Sequence, residues 1–171
     1  TVAKAAVEAA RLGVWMFNVH AIGGSEMMRR TVCEVNDVCE SESLERPKII
    51  AVTVLTSSDS AAMLEIGINE NIESAVVNLA RLSAECGLDG VVASANEIEA
   101  IRTNVDNKDF LIVTPGIRPS FATNDDQRRV MTPGLAVRSG SDYLVIGRPI
   151  LQSEDRVSTI KGIIEEMSSA A

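Results

Sequence analysis

Apolar residues fall into five short, nearly continuous runs, Trp15 to His20, Ile49 to Leu55, Gly90 to Ala93, Leu111 to Thr114 and Tyr143 to Ile146. Between them the apolar positions recur at helical spacing. Residues 72–85 show the pattern well, with Ile72, Val76, Leu79 and Ala80 on one face and Glu73, Asn78, Arg81 and Glu85 elsewhere. The spacing predicts helices at about residues 1–12, 24–40, 71–86, 95–104, 132–139 and 154–168. Three of these stop at a glycine, Gly13, Gly87 or Gly140, and an apolar run begins within a few residues. A glycine just past a helix takes the left-handed conformation that ends it, so a short loop can feed the next strand. Runs without polar alternation suit strands covered on both faces, as parallel strands flanked by helices are. The expectation is an α/β domain over 1–171, with no linker, low-complexity tract or second domain.

An open doubly wound sheet and a (β/α)8 barrel both alternate in this way. The polar residues separate them. Asn18 and His20, Thr53 with Thr56 and Ser57, Ser94, Thr114 with Arg118, and Gly147 with Arg148 all lie within or just after the carboxyl ends of successive strands. A barrel gathers those ends around one mouth. A dinucleotide-binding sheet calls for Gly-x-Gly-x-x-Gly after its first strand. Here Gly23-Gly24 has neither the third glycine nor the downstream acidic partner.

Composition narrows the function classes. Hydrophobic residues make up 46% and charged residues 23%, as in an ordinary globular protein, while aromatic residues are only 3%. Val, Ile, Leu and Ala carry the apolar load, which favours a parallel sheet over a sandwich or a carbohydrate-binding surface. A net charge of -8 argues against nucleic acid or an anionic membrane as partner, yet leaves room for local arginines to hold a phosphorylated ligand. Cys33, Cys39 and Cys86 form no Cys-x-x-Cys pair, and the sole histidine, His20, lies far from them in sequence, so no metal site is expected. Thiols without a disulfide framework point to a cytoplasmic protein. No apolar stretch approaches membrane-spanning length, and residues 1–10 read as amphipathic helix, not signal peptide. Without an initial methionine, the chain reads as opening partway through a longer pattern.

The candidate chemistry lies at two strand ends. Gly147-Arg148-Pro149 closes the run Tyr143-Leu144-Val145-Ile146, and Gly116-Ile117-Arg118-Pro119 closes the run before it. Glycine lets a backbone N–H approach an anion, and arginine adds planar donors matched to phosphate oxygens. In a (β/α)8 barrel the loops after the last two strands frequently hold phosphate.

Six segments, in order along the chain, resemble orotidine 5′-monophosphate decarboxylases. They are Val14-Trp15-Met16-Phe17-Asn18-Val19-His20-Ala21-Ile22-Gly23-Gly24, Ala51-Val52-Thr53-Val54-Leu55-Thr56-Ser57, Gly87-Leu88-Asp89-Gly90-Val91-Val92-Ala93-Ser94, Thr114-Pro115-Gly116-Ile117-Arg118-Pro119, Asp126-Gln127-Arg128-Arg129 and Val145-Ile146-Gly147-Arg148-Pro149-Ile150. The resemblance implies a (β/α)8 TIM barrel of which this chain covers about the last five strands. It also implies a homodimer that converts orotidine monophosphate (OMP) to uridine monophosphate and CO2 in pyrimidine biosynthesis, with neither metal nor organic cofactor. The family's catalytic Asp-x-Lys-x-x-Asp motif, whose lysine protonates the product carbanion, does not occur in these 171 residues. Thr1 resembles the threonine that follows that motif, so the chain is expected to be a carboxy-terminal fragment, inactive alone.

Site roles follow by the same resemblance. Arg148 and the Gly147 amide match the phosphodianion site, and Gln127 matches a lid glutamine bridging phosphate and pyrimidine. Ser57 matches a pyrimidine contact, Arg118 a ligand-contacting position beside the lid, and Thr1 a residue reaching the ribose in the neighbouring subunit's site. The small, polar and turn-forming residues after Arg118 suit a mobile lid running to Arg129. By itself, Thr56-Ser57-Ser58-Asp59 reads equally as a helix N-cap. His20 is read as hydrogen-bonded structure. Other phosphate-gripping barrels, such as sugar-phosphate decarboxylases or isomerases of amino-acid biosynthesis, need no pyrimidine contact, so Ser57 with Gln127 favours the nucleotide. A non-catalytic remnant that keeps only the anion site is the alternative from a different class.

Overall fold

The three predicted helix-ending glycines all have positive φ, +69° at Gly13, +83° at Gly87 and +101° at Gly140, in a computed structural model that describes residues 1–69, 71–122 and 131–170. Each closes its helix with the same pair of backbone bonds. At the first, Gly13 N–H donates to Ala10 O at 2.9 Å and Val14 N–H to Ala9 O at 3.5 Å. The helices are α1 (Val2–Arg11), α2 (Gly24–Glu42), α3 (Ser60–Glu65), α4 (Ile72–Glu85), α5 (Ile98–Asn104), α6 (Pro133–Arg138), α7 (Arg148–Leu151) and α8 (Arg156–Ser168). The strands are β1 (Met16–His20), β2 (Lys48–Val52), β3 (Gly90–Val92), β4 (Leu111–Pro115) and β5 (Tyr143–Val145). Helices α3 and α7 were not expected from the sequence, and β2 ends three residues early. Helix α2 runs on to Glu42 and stops at Ser43, which takes φ 55° without a glycine.

The strands pair in chain order, β1-β2-β3-β4-β5, and every pairing is parallel. Each right-handed crossover therefore steps in the same direction and leaves its helices on the same face of the sheet. That is the barrel arrangement, not the doubly wound one. The register separates the two faces. The row Val19, Ala51, Val91, Ile112 is buried against the helices, where Met28, Val35, Val76, Ile98 and Ile101 complete the core. On the opposite face Asn18, His20, Tyr143 and Val145 are exposed.

The sheet is strongly curled. A flat five-stranded sheet would separate its outer strands by about 19 Å. Here Trp15, just before β1, meets Tyr143 of β5 edge to face, with ring centroids 5.1 Å apart.

At the amino ends of the strands two Gly-x-Asp turns act alike. Asp142 N–H donates to Ile112 O at 2.9 Å, and its carboxylate accepts from Ile112 N–H at 2.6 Å. Asp89 does the same to Ile49, at 2.8 and 2.7 Å. Each carboxylate is also held by an arginine, Arg102 at 2.6 Å for Asp142 and Arg46 at 2.7 Å for Asp89. Arg102 further donates to the carbonyls of Gly140 and Phe110. Fixing the amino ends of β4 and β5 fixes where their carboxyl ends emerge.

Candidate functional site

Strand β4 ends at Pro115, and Gly116, at φ +78°, turns the chain outward. Ile117 is buried and anchors the turn, leaving Arg118 half-buried beside it. Arg118 N–H donates to Met131 O at 3.2 Å, which joins the two ends of the segment between them. Beyond Met131, Thr132 caps α6, its hydroxyl accepting from Leu135 N–H at 3.3 Å.

Strand β5 ends at Val145, and Gly147 leads directly into α7, its carbonyl accepting from Ile150 and Leu151 N–H at 3.0 Å each. Gly147 has φ −107°, and a Cβ built there would meet nothing within 4 Å. Packing within the chain does not demand a glycine at this position. What the missing side chain leaves open is the approach to the backbone from outside.

These two strand ends share one cleft of about 730 Å³, whose walls include Gly116, Arg118, Phe121, Gly147, Arg148 and Thr159. Among the described residues that line it there is no carboxylate, although the whole chain carries a net charge of -8. Two arginines lining a common cavity suit a ligand with several anionic oxygens. At the far wall the hydroxyls of Ser153 and Thr159 lie 2.7 Å apart, and Asp155 caps α8 by accepting from Ser158 N–H at 3.0 Å. Phe121, Ser153 and Thr159 also line the cleft, and residue type alone does not mark them. For the two hydroxyls the available signal is the cap residue Asp155, which places a further helix start a few residues beyond the Gly-Arg-Pro turn.

Of the predicted site residues the cleft unites Arg118, Gly147 and Arg148. Ser57 and Thr1 do not line it. Ser57 is exposed in a turn after β2, and the capping role open to it belongs instead to Asp59, whose carboxylate accepts from Ala62 N–H at 2.9 Å. Thr1 precedes α1 and makes no side-chain cap bond. Gln127, with the lid segment after Ala122, lies outside the described residues. His20 is exposed on the concave face of the sheet.

One perturbed carboxyl lies behind the rim. Burial pushes Glu97 above the usual carboxylate range, against the opposing pull of hydrogen bonds to Ser94. Ser94 is the cap of the turn Glu97 belongs to, so the pair forms a capping box. Among the described residues no group of three or more His, Cys, Asp and Glu side chains could hold a metal ion, and no helix is long and apolar enough to cross a membrane.

The sequence model of the orotidine 5′-phosphate decarboxylase / HUMPS family matches residues 1–163. The orotidine 5′-phosphate decarboxylase of Geobacter sulfurreducens is 53% identical over 167 residues, covering 98% of this chain and 69% of that protein. That of Geotalea uraniireducens is 52% identical over 167 residues, covering 98% of this chain and 68% of its own length. Among solved structures, orotidine 5′-phosphate decarboxylase from Lactobacillus acidophilus superimposes with a TM-score of 0.82 at 34% identity, over 97% of this chain and 69% of that one. The enzyme from Pyrococcus horikoshii shares the fold, with a TM-score of 0.68 at 22% identity over 98% of this chain and 67% of that one.

Proposed function

This chain belongs to the orotidine 5′-phosphate decarboxylase family, and we propose that its cleft at the ends of β4 and β5 grips the phosphate of OMP while the pyrimidine loses CO2. One observation carries the reading: Arg118, Arg148 and the unobstructed Gly147 backbone line a single cavity whose described walls hold no carboxylate.

The reaction breaks the bond between a ring carbon and its carboxylate. The electron pair stays on the ring carbon, CO2 departs, and a proton takes its place. The phosphate is remote from that bond, so its grip assists only if the binding energy holds the pyrimidine in the reacting geometry. Arg148 and the Gly147 amide would bind the dianion, with Arg118 beside them. By family resemblance Gln127 would bridge phosphate and pyrimidine, Ser57 would contact the pyrimidine edge, and Thr1 would reach the neighbouring subunit's ribose in a homodimer. The protein would work in the cytoplasm without metal or organic cofactor. Because the Asp-x-Lys-x-x-Asp array is not among the 171 residues, this chain by itself should show no turnover of OMP, and any measured CO2 release would refute that.

The test of the phosphate role uses the protein as its gene encodes it. Arg148→Ala should cost about 2–5 kcal/mol in kcat/KM for OMP, the loss expected when one partner of a desolvated charge pair is removed. Orotidine, which lacks the phosphate, should react at the same low rate in wild type and variant, and the melting temperature should hold. Equal slowing of both substrates, or a marked fall in melting temperature, would make Arg148 structural and end the phosphate-site reading.

A further inference from the structure

The arginine-bearing wall of the cleft leans on α8. Thr159, Gly162 and Glu166 fall at positions i, i+3 and i+7 of that helix and so form one stripe along it. Each does something different for the loop after β4. Thr159 lines the cleft itself. Gly162 provides a bare patch for Phe121, since a Cβ built there would stand 3.1 Å from Phe121 Cε1 and 3.4 Å from Cζ. Glu166 Oε2 accepts from both Ser120 N–H at 3.2 Å and Ser120 Oγ at 3.1 Å.

A glycine inside a helix weakens it by roughly 1 kcal/mol relative to alanine. Gly162 therefore runs against the helix's own preference at the one place where the ring of Phe121 crosses it. Phe121 is 57% exposed, so this contact contributes little core stability. Both residues held by α8 follow Arg118 by two and three positions, and Arg118 is itself tied at the neck by its bond to Met131 O.

We propose that Gly162 and Glu166 are positioning residues for the phosphate cleft, holding Ser120 and Phe121 against α8 so that the Arg118 wall keeps its distance from Gly147 and Arg148. The inference rests on the phosphate reading of the cleft. It extends the functional set to two residues on a helix flank that touch no substrate.

The experiment compares OMP with orotidine in the protein as its gene encodes it. Glu166→Ala should lower kcat/KM for OMP by about tenfold, the worth of one hydrogen bond to a charged group near the low end of its range, and leave orotidine unchanged. Glu166→Gln keeps an oxygen that both Ser120 donors can reach and should restore most of the loss. Gly162→Val should displace the Phe121 ring and show the same selective defect. In an Arg118→Ala background, Glu166→Ala should cost little more, because the side chain whose place it holds is already gone. Unchanged OMP kinetics in Glu166→Ala, or equal slowing of both substrates, overturns the proposal. If Arg148→Ala discriminates between the substrates and Glu166→Ala does not, only this inference fails. If Arg148→Ala does not discriminate either, the phosphate reading fails with it.

Discussion

Removing the Asp142 carboxylate tests how the carboxyl-end geometry is held from the opposite end of the sheet. Asp142→Ala deletes two bonds of 2.6 Å, one from Ile112 N–H and one from Arg102 Nη2. Ile112 is fully buried, so its orphaned amide should cost about 1–3 kcal/mol. The ion pair is worth less, because its side chains are 29% and 36% exposed, which limits it to about 1 kcal/mol. Arg102 keeps its bonds to Gly140 O and Phe110 O, which limits the damage. The sum is about 1–4 kcal/mol. Asp142→Asn retains an oxygen for Ile112 N–H and should cost about 0.5–1.5 kcal/mol, mainly the charge on that bond and the ion pair. Chemical denaturation of both variants at constant m-value provides the measurement. A loss below about 0.5 kcal/mol in Asp142→Ala would refute the claim that the buried amide dominates. Equal losses in Asp142→Ala and Asp142→Asn would transfer the effect to the charge.

Two further predictions concern titrating groups. Glu97 holds its proton more tightly folded than unfolded, because burial disfavours the carboxylate, so its ionised form costs stability above the raised folded value and nothing below the unfolded one. Glu97→Gln, which preserves an acceptor for the capping box, should raise Tm at neutral pH, with the gain fading as the pH falls; a gain that grows toward acid would contradict the sign. Cys33 is exposed, but its thiol donates to Asp37 Oδ2 at 3.6 Å, and that carboxylate pushes it above the ordinary thiol range. Alkylation of Cys33 near neutral pH should therefore be slow for an exposed thiol and should quicken in Asp37→Asn; identical rates in the two proteins would show that the carboxylate does not govern it.

What was legible in the chain depended on how local its cause is. The five strands announced themselves because parallel strands buried on both faces need unbroken apolar runs. The helix ends at Gly13, Gly87 and Gly140 showed because the left-handed turn favours a residue without Cβ. Helix α2 overran its expected end because Ser43 takes that conformation with no glycine to mark it. Helices α3 and α7 span six and four residues, too few for a period of 3.6 to declare itself. In the site, Gly147, Arg148 and Arg118 could be read from residue type at a strand end. Thr56-Ser57-Ser58-Asp59 offered several caps, and only the three-dimensional turn selects Asp59. Glu166 and Gly162 carry no local signal, since their meaning lies in contacts with Ser120 and Phe121 some forty residues earlier.

The meeting of Trp15 with Tyr143 has a spectroscopic consequence. The chain has one tryptophan and one tyrosine, and they touch across the first and last strands. The indole and phenol bands of the near-ultraviolet dichroism, and indole emission, therefore sample a single place, the point where the curl of the sheet brings its two edges together. Most of the helical layer is silent at those wavelengths. Far-ultraviolet dichroism reads that layer instead. Loss of the aromatic signal ahead of the helical one would show the arc opening before its helices melt, so the protein carries a built-in probe of its own curvature without any label.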